Sequence, residues 1–151
     1  MDEVLSALRK MHNFERFAKE IYGTQIRAFS EQEIADRLTT ARDNEQEHAN
    51  SLRIRIEELG GSTSCMGFFF QMAGRILGFS TTMLGKMRLF KIDVWIEKRA
   101  VRDYGDFLQK VDFDEKSRSL IEKNIEDEKV HIKTWEESIE MLKRKVPVGE
   151  L

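Results

Sequence analysis

The sequence predicts an all-α protein, a four-helix bundle with one extra amphipathic helix crossing over between the second and third bundle helices. Three observations carry this. First, 151 residues hold one proline, Pro147, and nine glycines, too few turn residues for an all-β fold and nothing to break a helix before the tail. Second, apolar residues recur at steps of three and four along four long segments. Third, charged residues make up 34% of the chain and apolar ones 40%, which suits a folded helical protein rather than a disordered one. At this length a single domain, 1–151, is expected.

The first helix lies within 2–29, on a seam of Val4, Leu8, Met11, Glu15, Ala18, Tyr22, Gln25 and Phe29. Ser30 with Glu33 three residues on reads as a capping box opening the second helix. Its seam is Ile34, Leu38, Ala41, Glu45, His48, Leu52, Ile56 and Leu59, and Gly60–Gly61 ends it. A different stretch fills 62–86. The third bundle helix is expected over about 86–110. Asp112 with Glu115 reads as another capping box, opening a fourth helix that runs to about Lys145, where Pro147 stops it.

Several classes are disfavoured at once. A net charge of −2 gives no case for a nucleic-acid partner. The lone Cys65 rules out an internal disulfide framework and a four-cysteine metal centre, and reads as a spectator. The N-terminal MDEVLSALRK puts acids where a signal peptide carries basic residues. A cytoplasmic location is therefore expected.

The seams contain an anomaly. Glutamates and histidines stand at positions that should be apolar, and an unpaired carboxylate is very costly to bury. Glu15 is central in helix 1, Glu45 and His48 in helix 2, Glu97 in the third bundle helix, Glu128 and His131 in the fourth. In an up-down-up-down bundle these positions share one level of the core. The pattern also repeats. Glu15 to Glu97 is 82 residues, and both Glu45 to Glu128 and His48 to His131 are 83. Tyr22 and Tyr104 each follow their glutamate by seven residues. The chain reads as two helical hairpins, each giving one Glu and then one Glu-x-x-His.

One Glu from each of two helices with Glu-x-x-His from each of the other two is the ligand set of dinuclear carboxylate sites in ferritin-like bundles. Spacing i, i+3 puts both side chains on one helix face. Carboxylate and imidazole suit iron or manganese. Two glutamates can bridge while the others terminate, and four carboxylates neutralise two divalent cations. Two iron ions, with manganese as the alternative, are the expected cofactors. Surface acids without a metal are the bland reading of the same residues. Around the set, Asp93 and Asp103 are candidates to hydrogen-bond a metal-bound histidine, while Asp127 and Glu47 read as solvated. Tyr22 and Tyr104 read either as lining an electron or substrate path or as core tyrosines. His12, one turn before Glu15, is a candidate neighbour of the ligands. Trp95 and Trp135 read as packing residues.

From Leu59 to Ile92 there is no acidic residue. The run carries Arg75, Lys86, Arg88 and Lys91 among Met66, Phe68, Phe69, Phe70, Met72, Ile76, Leu77, Phe79, Met83 and Leu84. Arg75 and the glycines argue against a spanning helix. A basic, aromatic, amphipathic helix lying in a membrane interface fits better. A crossover helix covering one end of the bundle, or a homodimer face, is the alternative.

These residues resemble the demethoxyubiquinone hydroxylases, di-iron monooxygenases of ubiquinone biosynthesis. The resemblance lies in His12, Glu15, Ile21 and Tyr22, and in a glycine-rich stretch of Ala73, Gly74, Leu77, Gly78, Thr81, Thr82, Met83, Leu84 and Gly85. Glu97 follows Gly85 by twelve residues, Tyr104 follows in turn, and the two Glu-x-x-His motifs complete it. It covers about 12–131. The chain departs from the family at Met11, where Asp is usual, at Asp103, where His is usual, and in lacking an Arg-Pro motif after helix 2. The resemblance implies a ferritin-like bundle holding two irons on Glu15, Glu45, His48, Glu97, Glu128 and His131. It implies an O2-dependent hydroxylation of a quinone ring, a lipid-tailed substrate reached from a membrane surface, and peripheral attachment. Electrons must come from an external donor, since the chain has no flavin or nicotinamide fingerprint. A rubrerythrin-like peroxide reductase, a ferritin-like iron oxidation and storage protein, and a membrane-surface helical module without chemistry are the rival readings.

Overall fold

The computed structural model describes residues 1–64 and 66–145. The readings of Cys65 and Pro147 lie outside the described residues. Five helices follow in order: α1 Asp2–Gln25, α2 Gln32–Glu58, α3 Gly67–Thr82, α4 Lys86–Lys110 and α5 Glu115–Lys145. A short 3₁₀ turn, Ile26–Ala28, closes α1. There is no strand among the described residues.

Two expected caps are not the ones used. Helix α2 starts at Gln32, its N-cap is Glu31, and no side chain caps it, so the Ser30–Glu33 box does not form. Helix α5 is capped by Asp114 instead of Asp112: its Oδ1 accepts from the Ser117 backbone N–H at 2.9 Å. Asp114 has the i to i+3 reach that a cap needs, and Arg55 holds its other oxygen at 2.6 Å. The end of α2 follows expectation. Gly60 adopts φ 74°, its N–H donates to Glu57 O, and the N–H of Gly61 donates to Ile56 O, each at 2.9 Å. That is the paired bonding of a Schellman ending, which needs a left-handed residue.

Helix α1 packs along α2 and α3, α4 packs along α5, and α2 meets α5 more sparsely. Helix α3 lies outside the bundle, over the seam between α1 and α4. It runs parallel to α1: Gly67 lies by Asn13 and Arg16, Gly74 by Phe17, Gly78 by Ile21, and Thr81 by Gln25. Helix α4 therefore starts at the end where α1 finishes and runs back against it. The four bundle helices go up-down-down-up, not up-down-up-down, because the crossover spans the length of the bundle. Their midpoints share one level either way. Two apolar clusters fill the interior. One, at the α1/α2 turn end, gathers Ile21, Leu38, Leu89, Phe90 and Trp135. The other, at the opposite end, gathers Leu5, Leu8, Leu52, Ile56, Phe113 and Ile121. The polar residues of the seams lie at the level between them. Trp135 is buried as expected, but Trp95 is 64% exposed, because it sits on the face of α4 turned away from α5 and α1.

Helix α3 is amphipathic in an inverted sense. Its buried face is glycine: Gly67, Gly74 and Gly78, with Thr81. A Cβ on Gly78 would stand 2.8 Å from Ile21 O, and one on Gly74 would collide with Phe17 O. The helix backbones therefore approach closely. The bulky residues face outward, among them Phe69 at 68% and Met83 at 76% exposure, with Phe68, Ile76 and Phe79 alongside. Arg75, the one charge on the helix, is tied to Glu20 of α1 at 2.8 Å. No described helix is long and apolar enough to cross a membrane.

Candidate metal centre

Glu15 on α1, Glu45 and His48 on α2, Glu97 on α4, and Glu128 and His131 on α5 are all buried, and they meet in one layer. They form two groups. Glu15, Glu45, His48 and Glu128 make one, and Glu45, Glu97, Glu128 and His131 the other, each with ligand atoms within 4.8 Å of one another. Glu45 and Glu128 belong to both. Their oxygens divide accordingly. Glu45 Oε2 stands 3.8 Å and Glu128 Oε1 3.3 Å from His48 Nδ1. Glu45 Oε1 stands 3.2 Å and Glu128 Oε2 3.1 Å from His131 Nδ1. Each shared carboxylate thus turns one oxygen to each histidine. Glu15 Oε1 lies 3.8 Å from His48 Nδ1, and Glu97 Oε1 lies 3.3 Å from His131 Nδ1.

The two tyrosines tie the hairpins together crosswise. Tyr104 of α4 donates to Glu15 Oε1 of α1 at 2.6 Å, and Tyr22 of α1 donates to Glu97 Oε1 of α4. Both rings are fully buried. Each hydroxyl leaves the second oxygen of its glutamate, Glu15 Oε2 or Glu97 Oε2, without a partner.

Asp127, expected to be solvated, is the carboxylate that orients a histidine. Its Oδ2 lies 3.0 Å from His48 Nε2, while Lys123 holds the same oxygen at 2.6 Å. An Nε2–H donated there leaves the Nδ1 lone pair aimed at the carboxylates. Asp93 and Asp103 do not fill that role. Asp103 pairs with Arg99 at 2.5 Å and Arg102 at 3.4 Å on the surface. Asp93 accepts from Gln25 Nε2 at 2.9 Å, and that amide also donates to Thr81 Oγ1 at 3.1 Å. His12 joins neither ligand group. Glu47 is exposed, on the rim of the cleft described below. The off-seam position of Asp127, one residue before Glu128, hid it from the sequence reading. Only the placement of α5 against α2 brings it to His48.

The electrostatics describe a site short of cations. Burial, then repulsion from Glu45 and Glu128, pushes Glu15 and Glu97 far above the ordinary carboxylate range. Burial opposes the charge of Glu45 too, but His131 and His48 prevail and hold it down to about 2. Both histidines are desolvated, yet the surrounding carboxylates push them far up. Glu15 Oε2, both oxygens of Glu45, His48 Nδ1, Glu97 Oε2 and Glu128 Oε1 are buried without a hydrogen-bond partner. Unsatisfied acceptors of this number, converging on two points, are what a pair of divalent cations would satisfy. The residues present fit such a pair.

A cleft of about 710 Å³ between α2 and α5 reaches His131 from the surface. Asp43, Glu47, Asp127 and Glu137 give it an acidic rim.

A helical bundle carrying two carboxylate–histidine groups with shared glutamates has the architecture of the dinuclear carboxylate proteins. The family described as ubiquinone biosynthesis protein COQ7 has a model that matches residues 2–140, and the chain belongs to that family. Two relatives from Coxiella burnetii, each named 3-demethoxyubiquinol 3-hydroxylase, align over 125 residues. The protein of strain Dugway 5J108-111 is 28% identical, and that of strain RSA 331 is 27% identical. Each alignment takes in 82% of this chain and 58% of the relative. The chain thus spans a little over half the length of the curated relatives it matches.

Proposed function

We propose that the chain is a di-iron hydroxylase acting on the ring of a lipid-tailed quinol, as in ubiquinone biosynthesis. The observation that carries this is the divided orientation of Glu45 and Glu128, each offering one oxygen to each of two histidine-bearing groups. Membership of the family and the names of the relatives support the substrate class. In this reading Glu15, Glu45, His48 and Glu128 would hold one iron, and Glu45, Glu97, Glu128 and His131 would hold the other. When bound, the irons supply the activation of O2.

The remaining steps belong to the protein. Asp127 keeps the Nε2 proton on His48, so that Nδ1 stays free to ligate. Tyr104 and Tyr22 each occupy one oxygen of Glu15 and Glu97, so that both terminal carboxylates present a fixed second oxygen. The apolar clusters above and below the layer close it to water from the two ends of the bundle. The balance is one ring C–H bond converted to C–O–H, the second oxygen leaving as water, with two electrons from an external donor and two protons. The outward apolar row of α3 supports contact with a membrane surface, where a lipid-tailed substrate resides.

Metal analysis after anaerobic purification, followed by reaction of the reduced protein with a short-tailed demethoxyubiquinol under labelled O2, tests the proposal. Two irons per chain and one labelled oxygen in the ring are expected. Failure to take up stoichiometric metal on reconstitution would refute it. Uptake of many irons per chain into large assemblies would point to storage instead.

A further inference from the structure

Away from the carboxylate layer, a second polar cavity of about 270 Å³ opens where α1 and α2 meet the segment leading into α3. Its charged lining has one sign: Arg16 and Lys19 from α1, Arg53 from α2, with His12 beside them. Among the described residues no carboxylate lines it.

Two of the cations are partly neutralised from outside. Arg53 is held by Glu57 at 2.9 Å, and Lys19 by Glu20 at 3.4 Å, with Gln46 Oε1 at 3.1 Å. Arg16 has no carboxylate partner among the described residues. It lies half-buried under the first turn of α3, where a Cβ on Gly67 would run into its guanidinium. His12 is 4% exposed, and its Nδ1 is buried without a hydrogen-bond partner. Burial first, then Arg16 and Arg53, pushes His12 down to about 4. The imidazole is therefore neutral at pH 7 and sits in a positive potential that no carboxylate of the lining offsets.

We propose that this cavity is an anion site for a phosphate group. Two guanidiniums and an ammonium spread around one concavity suit an oxyanion with three or more acceptor oxygens. A lone carboxylate offers two oxygens in a single plane and would leave part of the set unmatched. The amide of Asn50 lines the same cavity and adds a neutral donor. The phosphate has two sources of one chemistry. It is the headgroup of an acidic phospholipid, reached because Thr63 and Gln71 join the cavity to the root of α3 and its outward aromatic row. Or it belongs to a soluble phosphate ester. This site is independent of the hydroxylase reading, since it contains none of the six ligands.

The test uses the full chain with Arg16→Gln and Arg53→Gln, and Lys133→Gln on the far face of α5 as a control of equal charge change. Far-ultraviolet circular dichroism and urea midpoints confirm that each variant is folded. Binding of inorganic phosphate and pyrophosphate is followed by calorimetry. Binding to vesicles of phosphatidylcholine, with and without phosphatidylglycerol, is followed by sedimentation. The expectation is that either arginine change weakens binding of at least one of these probes tenfold or more, while Lys133→Gln leaves it unchanged. Loss of the phosphatidylglycerol dependence identifies the lipid source. Loss of pyrophosphate binding with vesicle binding intact identifies a soluble phosphate compound as the source. The proposal is overturned if neither phosphate, pyrophosphate nor phosphatidylglycerol vesicles distinguish the arginine variants from the control. That outcome would leave the metal content, and so the hydroxylase reading, untouched.

Discussion

Replacing Asp93 by asparagine tests whether a neutral acid is locked at the junction of α1, α3 and α4. Asp93 is fully buried, and its one hydrogen bond comes from Gln25 Nε2 to Oδ1 at 2.9 Å, with Oδ2 unpartnered. Burial outweighs that bond and raises its pKa from 3.8 to about 8. The sign follows from proton counting. Between those values the unfolded chain has released the proton and the folded one retains it, so stability falls as pH rises. The contribution is full below pH 3.8 and lost by about pH 8. At 1.36 kcal/mol per pH unit, the span from pH 5 to pH 8 costs roughly 3–4 kcal/mol. The amide in Asp93→Asn would keep an oxygen acceptor for Gln25 and cannot ionise. Urea unfolding of wild type and Asp93→Asn, both metal-free, at pH 5, 6.5 and 8 measures the difference directly. Titration of the carboxylate layer is common to both proteins and cancels. The variant should gain on wild type by roughly 3–4 kcal/mol across the range. A gap constant to within about 0.5 kcal/mol, the additivity error for independent sites, would refute the burial of Asp93 as a neutral acid.

Other consequences concern the metal layer and α3. Because Glu45 serves both groups and Glu97 only one, Glu97→Ala should retain about one tightly held metal per chain while Glu45→Ala weakens both, as read by metal analysis after dialysis. Equal losses would contradict the sharing. Asp127→Asn should weaken metal affinity by about 10–100-fold, the usual cost of losing an outer partner of a ligating histidine, and competition with a chelator measures it. Gly78→Ala places a methyl 2.8 Å from Ile21 O and 2.9 Å from Thr24 Cβ. It should cost about 1–3 kcal/mol in urea unfolding, and an unchanged midpoint would mean that α3 does not dock on α1 as described.

The candidate ligands stood out in the sequence because burying charge is the costliest act in a helical core. Glu15, Glu45, Glu97 and Glu128 stand where leucines belong, and the 82- and 83-residue repeat aligned them. Helix boundaries at Lys86 and Lys110 were equally plain, since Gly85 precedes one and the turn carrying Asp112 and Asp114 follows the other. What the seam could not show was anything depending on the rotation of one helix against its neighbour. Asp127 lies off its seam by one residue, and only the α2/α5 packing turns it to His48. Tyr22 and Tyr104 were visible as a repeated spacing, but their crossing to the opposite hairpin's glutamate needs the antiparallel pairing of α1 with α4. In α3 the signal was present in Gly67, Gly74, Gly78 and Thr81, small residues spaced for one face. Hydropathy showed an amphipathic helix but not which of its sides docks on the bundle. Close approach of two backbones decides that, because a glycine stripe packs nearer to α1 than any aromatic could. The side left outward is then the greasy one. An apolar row of that extent is stable in water only at a cost, so its presence beside a buried carboxylate layer is itself an argument for a surface that covers it.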